Sequence, residues 1–165
     1  MNHFHPHPSF LPFFLFLILL SVLHLSHGEV GTSAQYGPPF QPTACYGNDP
    51  GQFPSSNLFA AVGDGIWDNG AACGRQYLVK CISASNPRTC VPNQVIQVRI
   101  VDFALTTVSP PSCDGTTMVL SDTAFGTIAN SSAISINIEF QRYILLYFSS
   151  FYLLVYVILD LINFE

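Results

Sequence analysis

Three hydrophobic patterns follow one another along the chain. Phe10 to Leu25 is a continuous apolar run of 16 residues, interrupted only by Ser21 and His24. The middle of the chain alternates instead. In Val95 to Asp102, Ile96, Val98 and Ile100 share one face, as a half-buried strand requires. Ile134 to Phe140 alternates more strictly and predicts four apolar residues inward and three polar residues outward. Gln76 to Cys81 is a third strand candidate. Helical spacing occurs once, from Asp122 to Ala129: Ala124, Phe125 and Ile128 form the inner face, Ser121 is a suitable N-cap, and Asp122 sits at the positive end of the dipole. The third pattern is a second continuous run, Tyr143 to Phe164, 22 residues long.

The two continuous runs are expected to lie outside the folded unit. The first has the length of a signal-peptide core, and Ser26-His27-Gly28 offers small residues at a cleavage site, so residues 1–28 read as a secretory leader. An uncleaved anchor is the alternative, because residues 1–9 carry no Lys or Arg. The second run would span about 33 Å as a helix, enough to cross a bilayer. With the domain outside, however, no basic residue would remain on the cytoplasmic side, against the positive-inside pattern. A lipid-anchor signal would put the cut near Ser131, Ser132 and Ala133 and remove the last predicted strand. Residues 142–165 are therefore left as an anchor, a packed element or translated noncoding sequence. Membrane association is expected only if this tail is real.

Between the runs, residues 29–141 form the presumed domain. Nine Pro from Pro38 to Pro111 punctuate it, which favours short strands and loops and a mainly β barrel. Charged residues make up only 9% of the chain and the formal net charge is −5, which argues against nucleic acid as a partner. All five His, at 3, 5, 7, 24 and 27, leave with the leader. A His-free domain excludes a Ser-His-Asp or Cys-His catalytic arrangement and any His-ligated metal. No C-x-x-C pair exists, and neither metal nor cofactor is expected. Five Cys (45, 73, 81, 90, 113) in a secreted small domain predict disulfides with one thiol left over. Asn130-Ser131-Ser132 is an N-glycosylation sequon at a predicted turn.

Several blocks carry a family resemblance: Gly31-Thr32 with Tyr36, Ala44-Cys45-Tyr46-Gly47, Asp64-Gly65-Ile66-Trp67, and Asn69-Gly70-Ala71-Ala72-Cys73-Gly74. Then follow Tyr77 with Cys81, Val98 to Asp102, Leu120-Ser121 with Ala124-Phe125, and Ile136 to Phe140. In this order the stretch Gly31 to Gln141 resembles the endoglucanase-45-like domain of plant expansin-like proteins, in particular the natriuretic peptide-like and blight-associated secreted proteins. The resemblance implies a six-stranded double-psi β-barrel with one or two short helices. It implies disulfides Cys45–Cys73 and Cys81–Cys90. The partner expected for Cys113 is replaced by Ala104, which leaves Cys113 as the unpaired thiol.

Glycosidic hydrolysis ordinarily needs two carboxylates about 5 to 9.5 Å apart. The resemblance implies one just after the early Thr-Tyr strand and one before a Leu-Ser pair. Here those places read Gly37 and Val119, and neither can move a proton. No catalytic residue and no lytic activity are expected. The resemblance implies a secreted apoplastic protein acting in stress, defence or water and ion signalling, with a cell-surface receptor as partner. The alternative is a cell-wall polysaccharide binder of expansin type. Tyr36, Tyr46, Trp67 and Tyr77 offer aromatic faces for sugar, Arg75 and Lys80 offer cations to a receptor, and Asp102 is the strongest remaining polar candidate. Asp64 and Asp68 flank Trp67 as a cap and a turn residue.

Overall fold

The computed structural model describes residues 28–107 and 115–143. Residues 1–27 of the expected leader, nearly all of the apolar tail, and Cys113 lie outside the described residues. Six strands close into a barrel: β1 (Glu29–Tyr36), β2 (Phe59–Val62), β3 (Gln76–Ser83), β4 (Ile96–Phe103), β5 (Met118–Ser121) and β6 (Ile136–Arg142). Their order around the barrel is β1-β5-β2-β4-β3-β6. β1 runs parallel to β5 and β2 parallel to β4, and the other four pairings are antiparallel. A closed barrel leaves no free sheet edge, so every strand is hydrogen-bonded on both sides.

Helix α1 (Asp64–Trp67) follows β2, and α2 (Asp122–Ile128) follows β5. The expected helix is α2, with its three inner residues buried and Ser121 Oγ accepting from Ala124 N at 3.1 Å. Ser121 Oγ also donates to Asn57 O at 2.6 Å, so one buried hydroxyl ends a strand, caps a helix and ties down a loop.

Two apolar clusters share the sheet. Inside the barrel, Ala60, Val62, Val79, Val98, Ile100, Leu120, Ile138 and the α2 face pack together. Outside it, Tyr36, Phe59, Ala61, Val101, Ala104 and Val119 are covered by Phe40, Tyr46 and Phe53 from the long β1–β2 loop. Phe59 has Phe40 and Phe53 edge-on at 4.9 Å each, and Tyr36 at 6.2 Å. β2 and β5 are buried at every residue because they lie between the two clusters. That removes the alternation by which strands are recognised. Ile134 corrects the pattern: it is 70% exposed, because β6 begins only at Ile136 after the turn that leaves α2.

The disulfides are Cys45–Cys73 and Cys81–Cys90, as the resemblance implies. The first pins the β1–β2 loop to the segment after α1. The second closes the base of the β3–β4 loop.

Candidate functional site

The register of four strands sets the place where hydrolytic chemistry would be built. Val119 pairs with Ala34 on one side and Ala61 on the other, and Ala61 pairs with Asp102. With strands about 4.8 Å apart, Val119 and Asp102 stand about 10 Å apart on the same face. That backbone spacing lies just beyond the carboxyl separation a glycosidase uses, and of the two positions only Asp102 is an acid. Val119 is fully buried between the two alanines. Gly37 differs, since a Cβ added there would meet nothing within 4 Å. The space for an acid exists at Gly37 and is closed at Val119.

Asp102 reaches this face through a β-bulge. Ala60 pairs with Ile100 and Ala61 with Asp102, so Val101 is the extra residue and the side-chain parity changes. Strict alternation would have placed Asp102 inside with Ile100. Instead its Oδ1 accepts from Ala44 N at 2.7 Å and Phe103 N at 2.8 Å, holding the loop that carries Cys45. Asp102 is fully buried and Tyr36 only 3% exposed, which corrects both as members of an open ligand surface. Asp102 Oδ2 and the Tyr36 hydroxyl are buried without hydrogen-bond partners among the described residues. Burial and the Asp102 charge push the Tyr36 hydroxyl far above its usual range. Burial likewise raises the Asp102 carboxyl, opposed by the two backbone donors.

The open site lies at one end of the barrel. Asp64, Gly65 and Ile66 of α1, Asp68 just after it, Glu29 of β1, Arg75, Tyr77 of β3 and Phe140 of β6 line a cleft of about 310 Å³. Short α1 fixes its geometry. Ile66 is buried in the inner core, Asp64 and Asp68 border the cleft, and Trp67 turns to stack on Phe103 at 4.8 Å and 20°. Gly63 makes the turn into α1 possible, because a Cβ there would meet Thr116 O at 2.7 Å. Arg75 Nη2 donates to Asp68 Oδ2 at 2.6 Å, and this hydrogen bond raises the already strongly basic guanidinium further. Three carboxylates face one guanidinium, so the cleft is acidic and rich in hydrogen-bonding groups.

The other candidates fall elsewhere. Tyr77 contributes to the cleft wall but is only 7% exposed and packs edge-on against Phe140, so its ring is no open platform. Tyr46 is half-buried, with Arg99 Nη2 donating to its hydroxyl at 3.1 Å and the guanidinium over its ring. Arg99 Nη1 also donates to Gln52 O, so it fastens the covering loop. Lys80 pairs with Glu139 directly opposite on β6 at 3.0 Å, away from the cleft. Of the proposed surface, then, Arg75 and the edge of Tyr77 meet at the cleft, while Trp67, between the lining residues Ile66 and Asp68 in sequence, stacks on Phe103. Glu29, Phe103 and Arg99 were missed by sequence reasoning. A cation at an interior strand position was the one available hint for Arg99.

Comparison with known proteins agrees with this architecture. A family model described as lytic transglycolase matches residues 59–140. The chain is 38% identical over 122 residues to an EG45-like domain containing protein of Citrus jambhiri, covering 71% of this chain and 83% of that protein. It is 35% identical over 118 residues to EG45-like domain containing protein 2 of Arabidopsis thaliana, covering 70% and 82%. The solved apo structure of Clavibacter michiganensis expansin is similar in fold, with a TM-score of 0.51 at 18% identity over 72% of this chain. A mutant of that expansin in complex with cellohexaose gives 0.53 at 20% identity. The chain spans about half the length of these expansins.

Proposed function

The chain belongs to the EG45-like domain proteins, whose double-psi barrel it shares, and from that premise we propose that it is a secreted, non-hydrolytic binder of cell-wall polysaccharide. The observation that carries this reading is Val119, fully buried in an apolar layer at one of the two places where the family resemblance implies a carboxylate, the other being Gly37. The family model's lytic description is therefore not extended to this chain. The relative bound to cellohexaose supports a β-glucan as ligand class. The cleft beside α1 provides carboxylates and a guanidinium for sugar hydroxyls, and the Trp67–Phe103 stack provides an apolar face next to it.

Signalling through a receptor is the competing reading. Arg75 and Lys80 were its contacts, and both are paired within the chain, to Asp68 and Glu139. Exposed pairs of this kind contribute little energy, but they neutralise the charge a receptor would read.

The deciding experiment is a pull-down of the purified protein with cellulose, xylan, pectin and chitin, followed by titration with soluble oligomers of whichever polymer retains it. Trp67→Ala is expected to weaken binding roughly tenfold, about 1.4 kcal/mol, without unfolding the barrel. A folded protein that all four polymers leave in solution overturns the reading.

A further inference from the structure

We propose that Asn130 carries an N-linked oligosaccharide whose sugar shields an apolar corner of the barrel. The inference rests on the secreted character proposed above, but not on polysaccharide binding. Asn130 lies exposed in the turn between α2 and β6, and the fold holds this turn from both sides. Its N–H donates to Thr89 O at 2.8 Å, and Gln35 Nε2 donates to Ser131 O at 2.6 Å. Within the sequon, Asn130 Oδ1 accepts from Ser132 N at 3.0 Å. These bonds occupy the backbone and the amide oxygen. They leave Asn130 Nδ2 and the Ser132 hydroxyl without a partner among the described residues, at an exposed position.

The surroundings supply an independent reason for a sugar here. Ile134 is 70% exposed four residues along the same turn. Val91 is 40% exposed and is brought to this corner by Val91 N donating to Ile128 O and by the Cys90–Ala129 bridge. Two aliphatic side chains thus border the sequon on a domain with few charges to keep it dispersed. A hydrated oligosaccharide rooted at Asn130 covers that corner without filling any cavity of the protein.

In the transfer, Asn130 Nδ2 forms a bond to the anomeric carbon of an oligosaccharide carried on a polyprenyl diphosphate. Nδ2 loses one proton, and the lipid diphosphate leaves with the electron pair of the broken carbon–oxygen bond. No oxidant or reductant takes part.

The test expresses the full chain in plant cells and recovers both exported and retained protein. Release with peptide N-glycosidase A in heavy-oxygen water, followed by peptide mass mapping, is expected to convert Asn130 to the labelled acid. The slower gel band is expected to vanish in Asn130→Gln and equally in Ser132→Ala, two variants that perturb the turn differently. Asn130 recovered throughout as the unlabelled amide, in exported and retained protein alike, overturns the assignment. For the shielding role, Asn130→Gln should aggregate several-fold more than the glycosylated protein, and adding Ile134→Ser should reverse this. Equal aggregation of all three overturns it.

Discussion

The barrel presents two contrasting regions to its surroundings. On the outer face of β1, β5, β2 and β4, an aromatic loop seals the row that holds Val119 and Asp102. At the end of the barrel beside α1, ionic and polar side chains line an open cleft of about 310 Å³. The sealed region retains one carboxylate, Asp102, and uses it to hold Ala44 and Phe103. The open region has three carboxylates and a guanidinium with no apolar cover. Acid count alone therefore says little about catalysis. What decides it is whether a second acid can stand opposite the first in a space that admits substrate.

Putting an acid back into the sealed face is the strongest way to break this contrast. Val119→Asp is expected to cost at least about 5 kcal/mol, since the new carboxylate would be buried between Ala34 and Ala61 without a partner. That is comparable to the whole stability of a small domain. Denaturant unfolding measures the loss. A variant that stays folded and releases reducing ends from a glucan would show the face to be open after all.

Phe59→Ala is expected to cost about 4 kcal/mol, because three aromatic neighbours lose their common partner. Sugar binding by the fraction that remains folded should be unchanged, which separates the two regions energetically. Loss of binding in step with the stability loss would join them.

The smallest effect tests the charge within the sealed face. The Asp102 carboxyl titrates above its ordinary 3.8. Just above that value the folded protein holds a proton that the unfolded chain has lost, so stability from this group is gained as pH falls and lost as pH rises through the raised pKa. Thermal unfolding of wild type against Asp102→Asn, from neutral pH down toward 3.8, should show wild type gaining on the variant. A constant difference would mean that the burial of this carboxylate carries no proton linkage.

The longer alternating elements were legible in the sequence. β3, β4, β6 and α2 lie where their apolar spacing places them, with Ile134 the exception. β2 and β5 were not, because four residues buried on every side show no alternation. β1 was hidden for a different reason. Its mostly exposed first half, Glu29 to Thr32, mixes Glu and Thr with Val and Gly, and its buried residues are the small Ser33 and Ala34 before Tyr36. The cleft was legible only in part. Trp67 and Arg75 stood out by type, but Glu29 reaches the same space from a strand far away in sequence.

The sequence by itself determined the chemistry this protein has available. It holds a domain without His, with Val119 where an acid is expected and with cysteines matched to a family that bridges Cys45 to Cys73 and Cys81 to Cys90. Residue type settles such matters because a missing group cannot be supplied by folding. The tertiary structure alone decided where the remaining groups face. One inserted residue at Val101 turned Asp102 from the inner face to the outer, and the loop from Gly37 to Leu58 closed over it. Parity along a strand is local, but a bulge is set by the partner strand and a covering loop by what it can bury. Neither is written in the spacing of the residues they reposition.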